Sequence, residues 1–303
     1  MGGPFFFWLT VAGAVAAYIT ITAGAVVRVT GSGLGCPDWP TCHGQLVPPL
    51  EAGPLIEYAH RLAAAVTSAL ILAVPAVAWL WHRQRRFLLP ATLVPVLLAI
   101  QIGLGAVVVW LELPAFVVLV HLGFAMLILG TMVWLAAWVA PGPPGPFPVG
   151  VGGGAGRGAG GGAVAERESE RGGQRAGRDY YRALVTTTAG LTLFLVLTGA
   201  FTRATGASWA CAGFPGCAVP QEAVQAAEAG GARGLVQIHL FHRATAYLVA
   251  VLTLASIGET LRLRRAAPAL RRAALLLAGC LAAQIAIGAA AATFGLPVVL
   301  RGA

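Results

Sequence analysis

The chain has 303 residues, of which 58% are hydrophobic and 10% charged, and its mean hydropathy is +0.79. Soluble domains carry roughly 25% charged residues, so this composition excludes a soluble enzyme and reads as an all-α, polytopic membrane protein. The net charge is +9 and all 20 basic residues are Arg, but they gather in short turns between apolar runs, which excludes nucleic acid as a partner and makes membrane lipid the surroundings.

The first apolar run, 4–27, has no basic segment before it and is too long for a signal peptide, so it is a span. Arg28 ends it, and a loop follows that contains GSGLGCPDWPTC with Cys36 and Cys42. The second run, 55–81, opens on IEYAHR, which carries Glu57, His60 and Arg61. A turn with Arg83, Arg85 and Arg86 leads to the third run, 88–110, and a short connection leads to the fourth, 115–139, with His121 near its start. Residues 141–179 are Pro- and Gly-rich and then charged, the composition of a flexible cytoplasmic linker. The fifth run, 181–202, ends beside Arg203 and a second cysteine loop with Cys211 and Cys217. The sixth, 235–257, opens on IHLFHR with His239, His242 and Arg243, and the seventh is 273–293. Each run is long enough for a hydrocarbon core of about 30 Å at about 1.5 Å per residue.

The arginines assign sides. The 82–87 turn, the linker and the 258–272 turn are Arg-rich, whereas the alternate loops hold only Arg28, Arg203 and Arg233. The positive-inside rule puts the N-terminus and the Arg-rich turns in the cytoplasm and both cysteine loops outside, in a multi-pass plasma-membrane protein.

The chain repeats itself. GAVVRVTGSGLGCPDWPTC (24–42) aligns with GAFTRATGASWACAGFPGC (199–217), IEYAHR with IHLFHR, and QIGLGAVVVWLELP (101–114) with QIAIGAAAATFGLP (284–297). The offsets are 175, 182 and 183. Three blocks in order imply the duplication of a four-helix unit. The expected organisation is a unit at 1–140, the linker at 141–179 and a second unit at 180–303. Seven runs leave the second unit with three helices: the repeat mate of His121 falls at position 304, past Ala303.

Chemistry follows from placement. An oxidising outer face permits a disulfide in each cysteine loop, metal binding or free thiols being the alternatives. Cys280, in mid-span, is expected in the core. His within a membrane span is costly and points to function. His60 and His121 enter from the outer side at similar depth, which suits an axial pair for a haem iron, two unrelated packed or headgroup-level histidines being the alternative. His242 is the repeat mate of His60, and His239 shares its helix face as either a hydrogen-bond donor or an interfacial residue. Glu57, one turn before His60, is placed to orient the imidazole, act as a base or stabilise positive charge, a snorkelling interfacial carboxylate being the alternative. Asp38 reads as a turn former. Arg28, Arg61, Arg203 and Arg243 are candidate partners of haem propionates, with lipid headgroups the competing role.

TGSGLGCPDWPTCHG at 30–44, with EYAHR at 57–61 and the Gln…Leu-Pro…His frame at 101–121, resembles the haem A synthase family. The resemblance runs over nearly the whole chain except the linker. It implies eight helices in two pseudosymmetric four-helix halves, a catalytic N-terminal half and a C-terminal half holding haem b. It further implies oxidation of a ring methyl of haem o to the formyl of haem a, with water as the oxygen source. By this resemblance His60 and His121 ligate the substrate haem through its iron, Glu57 assists the chemistry, and His242 ligates the cofactor haem. Cys36/Cys42 and Cys211/Cys217 match the family's outer-loop pairs. A haem o synthase and cytochrome oxidase assembly factors would be the partners. The competing reading is a membrane haem electron carrier, or a thiol/quinone redox protein, that converts no haem. A transporter built of half-repeats fits less well, because the histidines lie near the outer face and not at the midplane.

Overall fold

The computed structural model describes residues 2–81, 85–139, 161–219, 221, 233–262 and 268–294. Among them are seven helices long and apolar enough to cross a membrane, and no strand. They are α1 (Gly2–Val29), α2 (Ala52–Trp81), α3 (Arg85–Trp110), α4 (Ala115–Val139), α5 (Gly161–Ala204), α6 (Arg233–Arg262) and α7 (Pro268–Phe294). Helices are the expected form, because a backbone in lipid must satisfy its own hydrogen bonds. The all-α, seven-span reading holds, and the protein is a multi-pass membrane protein. The arginine turns at 82–84 and 263–267, residues 140–160, most of 220–232 and residues 295–303 lie outside the described residues. The expected position of the chain end and about half of the linker fall there. The described part of the linker is the start of α5, which begins at Gly161 and runs through AVAERESERGGQRA. Ala, Glu, Arg and Gln favour helix strongly enough to carry it through that charged stretch.

The contacts divide the chain into two compact units, one with α1–α4 and one with α5–α7. In the first, α1 packs on α2 and α4, and α3 packs on the same two, closing a four-helix ring. Its core lies toward one end: Phe6 of α1, Ile71, Val74 and Ala78 of α2, Ala91, Val94 and Leu98 of α3, and Ile128, Met132 and Leu135 of α4. Antiparallel succession brings these four stretches to one level. The same succession brings Gly24, His60, Gln101 and His121 to a second level, near the opposite helix ends. Thr20 and Thr67 bond at 2.8 Å between the two levels, a polar contact of the kind that holds membrane helices together.

In the second unit α6 packs against both α5 and α7. Thr188–Ser256 at 3.2 Å and Tyr181–Thr260 at 2.8 Å join α5 to α6. Cys280 of α7 is exposed, contrary to its expected core position. In lipid an apolar thiol gains nothing by facing protein, so mid-span placement does not imply burial.

Candidate functional site

Each cysteine loop closes on a disulfide. Cys36–Cys42 and Cys211–Cys217 have Cα separations of 4.6 and 4.9 Å, and each loop has a cis X–Pro peptide, Trp39–Pro40 and Phe214–Pro215. In the first loop Asp38 accepts from the Thr41 hydroxyl and from the backbone N–H of His43 (2.5 Å) and Gly44 (2.8 Å). The Thr41 hydroxyl first, then these amides, hold its carboxyl at about 2, below its ordinary 3.8. Asp38 is thus the turn former that its position suggested. Gly35 packs where a Cβ would stand 2.5 Å from the backbone of Gly53, so this close approach admits only glycine.

The loop is tied to α2 by Arg61. Its Nη1 donates to the carbonyls of Asp38 and Thr41 at 2.7 Å, and its Nη2 to Cys36 O at 2.9 Å and Glu57 Oε1 at 2.5 Å. Glu57 Oε2 accepts the Cys36 N–H at 2.9 Å. The Glu57 side chain is 5% exposed and that of Arg61 14%, so this is a nearly buried ion pair with both carboxylate oxygens and both terminal guanidinium nitrogens hydrogen-bonded. The second unit repeats the device with different chemistry. Arg243 donates to Gly216 O, to Cys211 O at 3.4 Å and from Nε to His239 Nε2 at 3.2 Å. His239 stands where Glu57 stands, and its Nδ1 donates to Ala207 O at 2.9 Å. Both His239 nitrogens are therefore engaged, which decides its role as a loop anchor. Arg61 and Arg243, considered from sequence as propionate partners, spend their donors on the loops. Arg28 is exposed at the end of α1 and Arg203 is half-buried at the end of α5.

His60 and His242 are built alike. His60 Nδ1 lies 3.1 Å from Thr20 O. A carbonyl only accepts, so Nδ1 carries the proton and Nε2 keeps the lone pair that a metal requires. His242 Nδ1 lies 3.0 Å from Thr198 Oγ1, whose own proton goes to Leu195 O at 2.9 Å. The hydroxyl then accepts from Nδ1, with the same result. Each ring rests on a glycine: a Cβ on Gly24 would come within 3.1 Å of His60 Cε1, and one on Gly199 within 3.0 Å of His242 Cε1. The two glycines open the repeated loop block, but only packing shows that they seat imidazoles.

His121 is held differently. Its Nε2 is 3.2 Å from Gln101 Nε2 on α3, and Gly105, one turn later, would place a Cβ 3.4 Å from His121 Cε1. Gln101 Oε1 and His121 Nδ1 are buried without a hydrogen-bond partner. Gln101 belongs to the repeated QI block, but its contact with His121 crosses from one helix to another and leaves no mark in the sequence. Among the described residues no three His, Cys, Asp or Glu cluster as a metal site. Single histidines with one nitrogen fixed, each on a glycine-lined face, instead fit axial ligation of a haem iron.

Residues 7–302 match the sequence model of a family described as "Cytochrome oxidase assembly protein". The chain is 34% identical over 126 residues to a "Heme A synthase" of Bacillus pumilus (strain SAFR-032), covering 40% of each chain. It is also 34% identical over 126 residues to a "Heme A synthase" of Listeria monocytogenes serotype 4a (strain HCC23), covering 40% of this chain and 41% of that one. The chain thus spans about two fifths of the length of these two relatives. With a "Heme A synthase" of Shouchella clausii (strain KSM-K16) it is 28% identical over 295 residues, covering 93% of this chain and 82% of the relative.

Proposed function

The chain belongs to the cytochrome oxidase assembly protein family, and from that premise we propose that it is a haem A synthase, a membrane oxidoreductase that converts haem o to haem a. The observation that carries this reading is the fixed tautomer of His60 on the Gly24 seat, with Nδ1 bound to Thr20 O and Nε2 left to bind iron. His60 and His121 hold the substrate haem, and His242, built on the same plan, holds haem b. A bound haem supplies the one-electron exchange that oxidation of a methyl needs. Taking the methyl to a formyl with oxygen from water releases four electrons and four protons in all, and the electrons pass to an acceptor outside this chain.

Glu57 contributes fixed negative charge one helical turn from His60. Arg61 and the Cys36 N–H fix both of its oxygens in a nearly water-free setting, where a preorganised charge favours electron loss from a nearby substrate carbon. Arg28, exposed at the end of α1, is the propionate partner in this reading. The cysteine loops face outward, the N-terminus lies in the cytoplasm of a plasma-membrane protein, and lipid surrounds it. An enzyme that makes haem o supplies the substrate, and cytochrome oxidase assembly factors take the product.

The thiol-redox alternative is disfavoured because Cys36 and Cys42 are 0% exposed, and disulfide exchange needs access for the attacking thiolate. The test is expression with a haem o source, followed by pyridine haemochrome analysis of the purified protein and chromatography of extracted haems. Haem a is expected from the parent chain and none from His60→Ala or His121→Ala. Glu57→Gln, which keeps the size and the acceptor oxygen, is expected to retain bound haem and to slow conversion. Bound haem with no haem a, together with quinone-dependent cycling of Cys36–Cys42, would establish the electron carrier instead.

A further inference from the structure

The three histidines differ in which nitrogen is open. His60 and His242 have Nδ1 fixed by an oxygen acceptor, so Nε2 carries the lone pair. In His121 it is Nε2 that is taken. The amide of Gln101 stands 3.2 Å from it, and turning the amide over changes only which atom donates. The other nitrogen, Nδ1, is buried with no partner, as is the second polar atom of Gln101. His121 therefore offers no accessible lone pair, while its partner leaves two buried polar atoms unsatisfied, a costly arrangement in a membrane interior.

We infer that Gln101 is a positioning residue that withholds His121 from iron, so that haem joins His60 first and gains His121 only by displacing the Gln101 bond. With the Gln101 amide N–H donating to the Nε2 lone pair, the imidazole proton is already on Nδ1, so breaking that one hydrogen bond would free Nε2 for a metal with no proton transfer. Such a latch suits a site that must release its product. It lowers the net gain of the second axial bond by the hydrogen bond given up, worth a factor of roughly two to ten. Among the described residues no side chain bonds His242 Nε2: Thr198 holds its Nδ1 and so reinforces Nε2 as the ligand. The inference rests on the reading of His121 as an iron ligand.

The experiment uses the full chain carrying His242→Ala, so that only the first site reports, and ferric haem b as the probe. Haem loss is followed by capture with apomyoglobin, and coordination by EPR and the Soret band. Gln101→Met, close in volume and unable to bond the imidazole, is expected to slow haem loss roughly two- to tenfold and to raise the low-spin six-coordinate fraction. Gln101→Glu, whose carboxylate only accepts and so would draw the imidazole proton from Nδ1 onto Nε2, is expected to hasten loss and raise the high-spin fraction. If His121→Ala turns the haem high-spin but Gln101→Met releases it at the parent rate or faster, the ligand reading stands and the latch is wrong. If His121→Ala keeps the parent's low-spin spectrum, the ligand reading fails and the latch with it.

Discussion

Two glycines set how closely α1 and α5 approach an imidazole. A Cβ at Gly24 or Gly199 would meet the ring at 3.1 or 3.0 Å, too close for a branched side chain without moving the histidine. Gly24→Val is expected to weaken haem binding at the first site by roughly tenfold or more, since overpacking costs about 1–3 kcal/mol and about 1.4 kcal/mol is tenfold. Gly199→Val should do the same at the second site alone. Haem titrations on His242→Ala and His60→Ala backgrounds separate the two. Asp38 gives a pH dependence. Its carboxyl titrates at about 2 in the fold against an ordinary 3.8. The stabilisation is complete above the unfolded value, declines as pH falls below it, and is gone once pH has passed through about 2. Reduction of Cys36–Cys42 by a phosphine should accelerate across that window, and Asp38→Asn should remove the dependence.

At the scale of elements, the two cysteine loops are fastened by one strategy with unequal strength. Arg61 joins three loop carbonyls to a carboxylate, whereas Arg243 joins two carbonyls to a neutral imidazole. Removing one member of a buried ion pair costs about 3–5 kcal/mol, because the other charge is left unpaired. Arg61→Ala is therefore expected to lower the unfolding midpoint more than Arg243→Ala, which abandons only neutral acceptors. Thermal unfolding in detergent, with reducibility of each disulfide read by mass mapping, checks this. The same comparison accounts for a difference between the units. Among the described residues a carboxylate stands one helical turn before the haem-ligand candidate in the first unit and an imidazole in the second, as expected if chemistry is confined to the first unit.

For the whole molecule, the charge asymmetry of the turns makes a prediction about topology. Phosphatase fusions in the 43–50 loop should be active and fluorescent-protein fusions at Arg83 should fluoresce. The reverse pattern would overturn the assigned sides. Of the five cysteines, Cys280 alone should take an alkylating reagent when the denatured chain is treated without prior reduction, since the other four form two disulfides.

The spans were legible because about 20 consecutive apolar residues in lipid have few solutions other than a helix. The duplication, and with it His60, His242 and the cysteine pairs, was legible because the motifs recur in order along the chain. What each polar group binds was not legible. Arg61 and Arg243 could face a ligand or a loop, and their sequence neighbours are the same either way; the loop wins because its carbonyls fold back to within hydrogen-bond reach. His239 and Glu57 occupy matching positions yet anchor different chemistry, and Gln101 meets His121 from another helix. Such pairings depend on the rotation and height of one helix against the next, which hydrophobic periodicity constrains weakly in a membrane. There every face of a helix is apolar, and the close contacts of small and polar residues set the register.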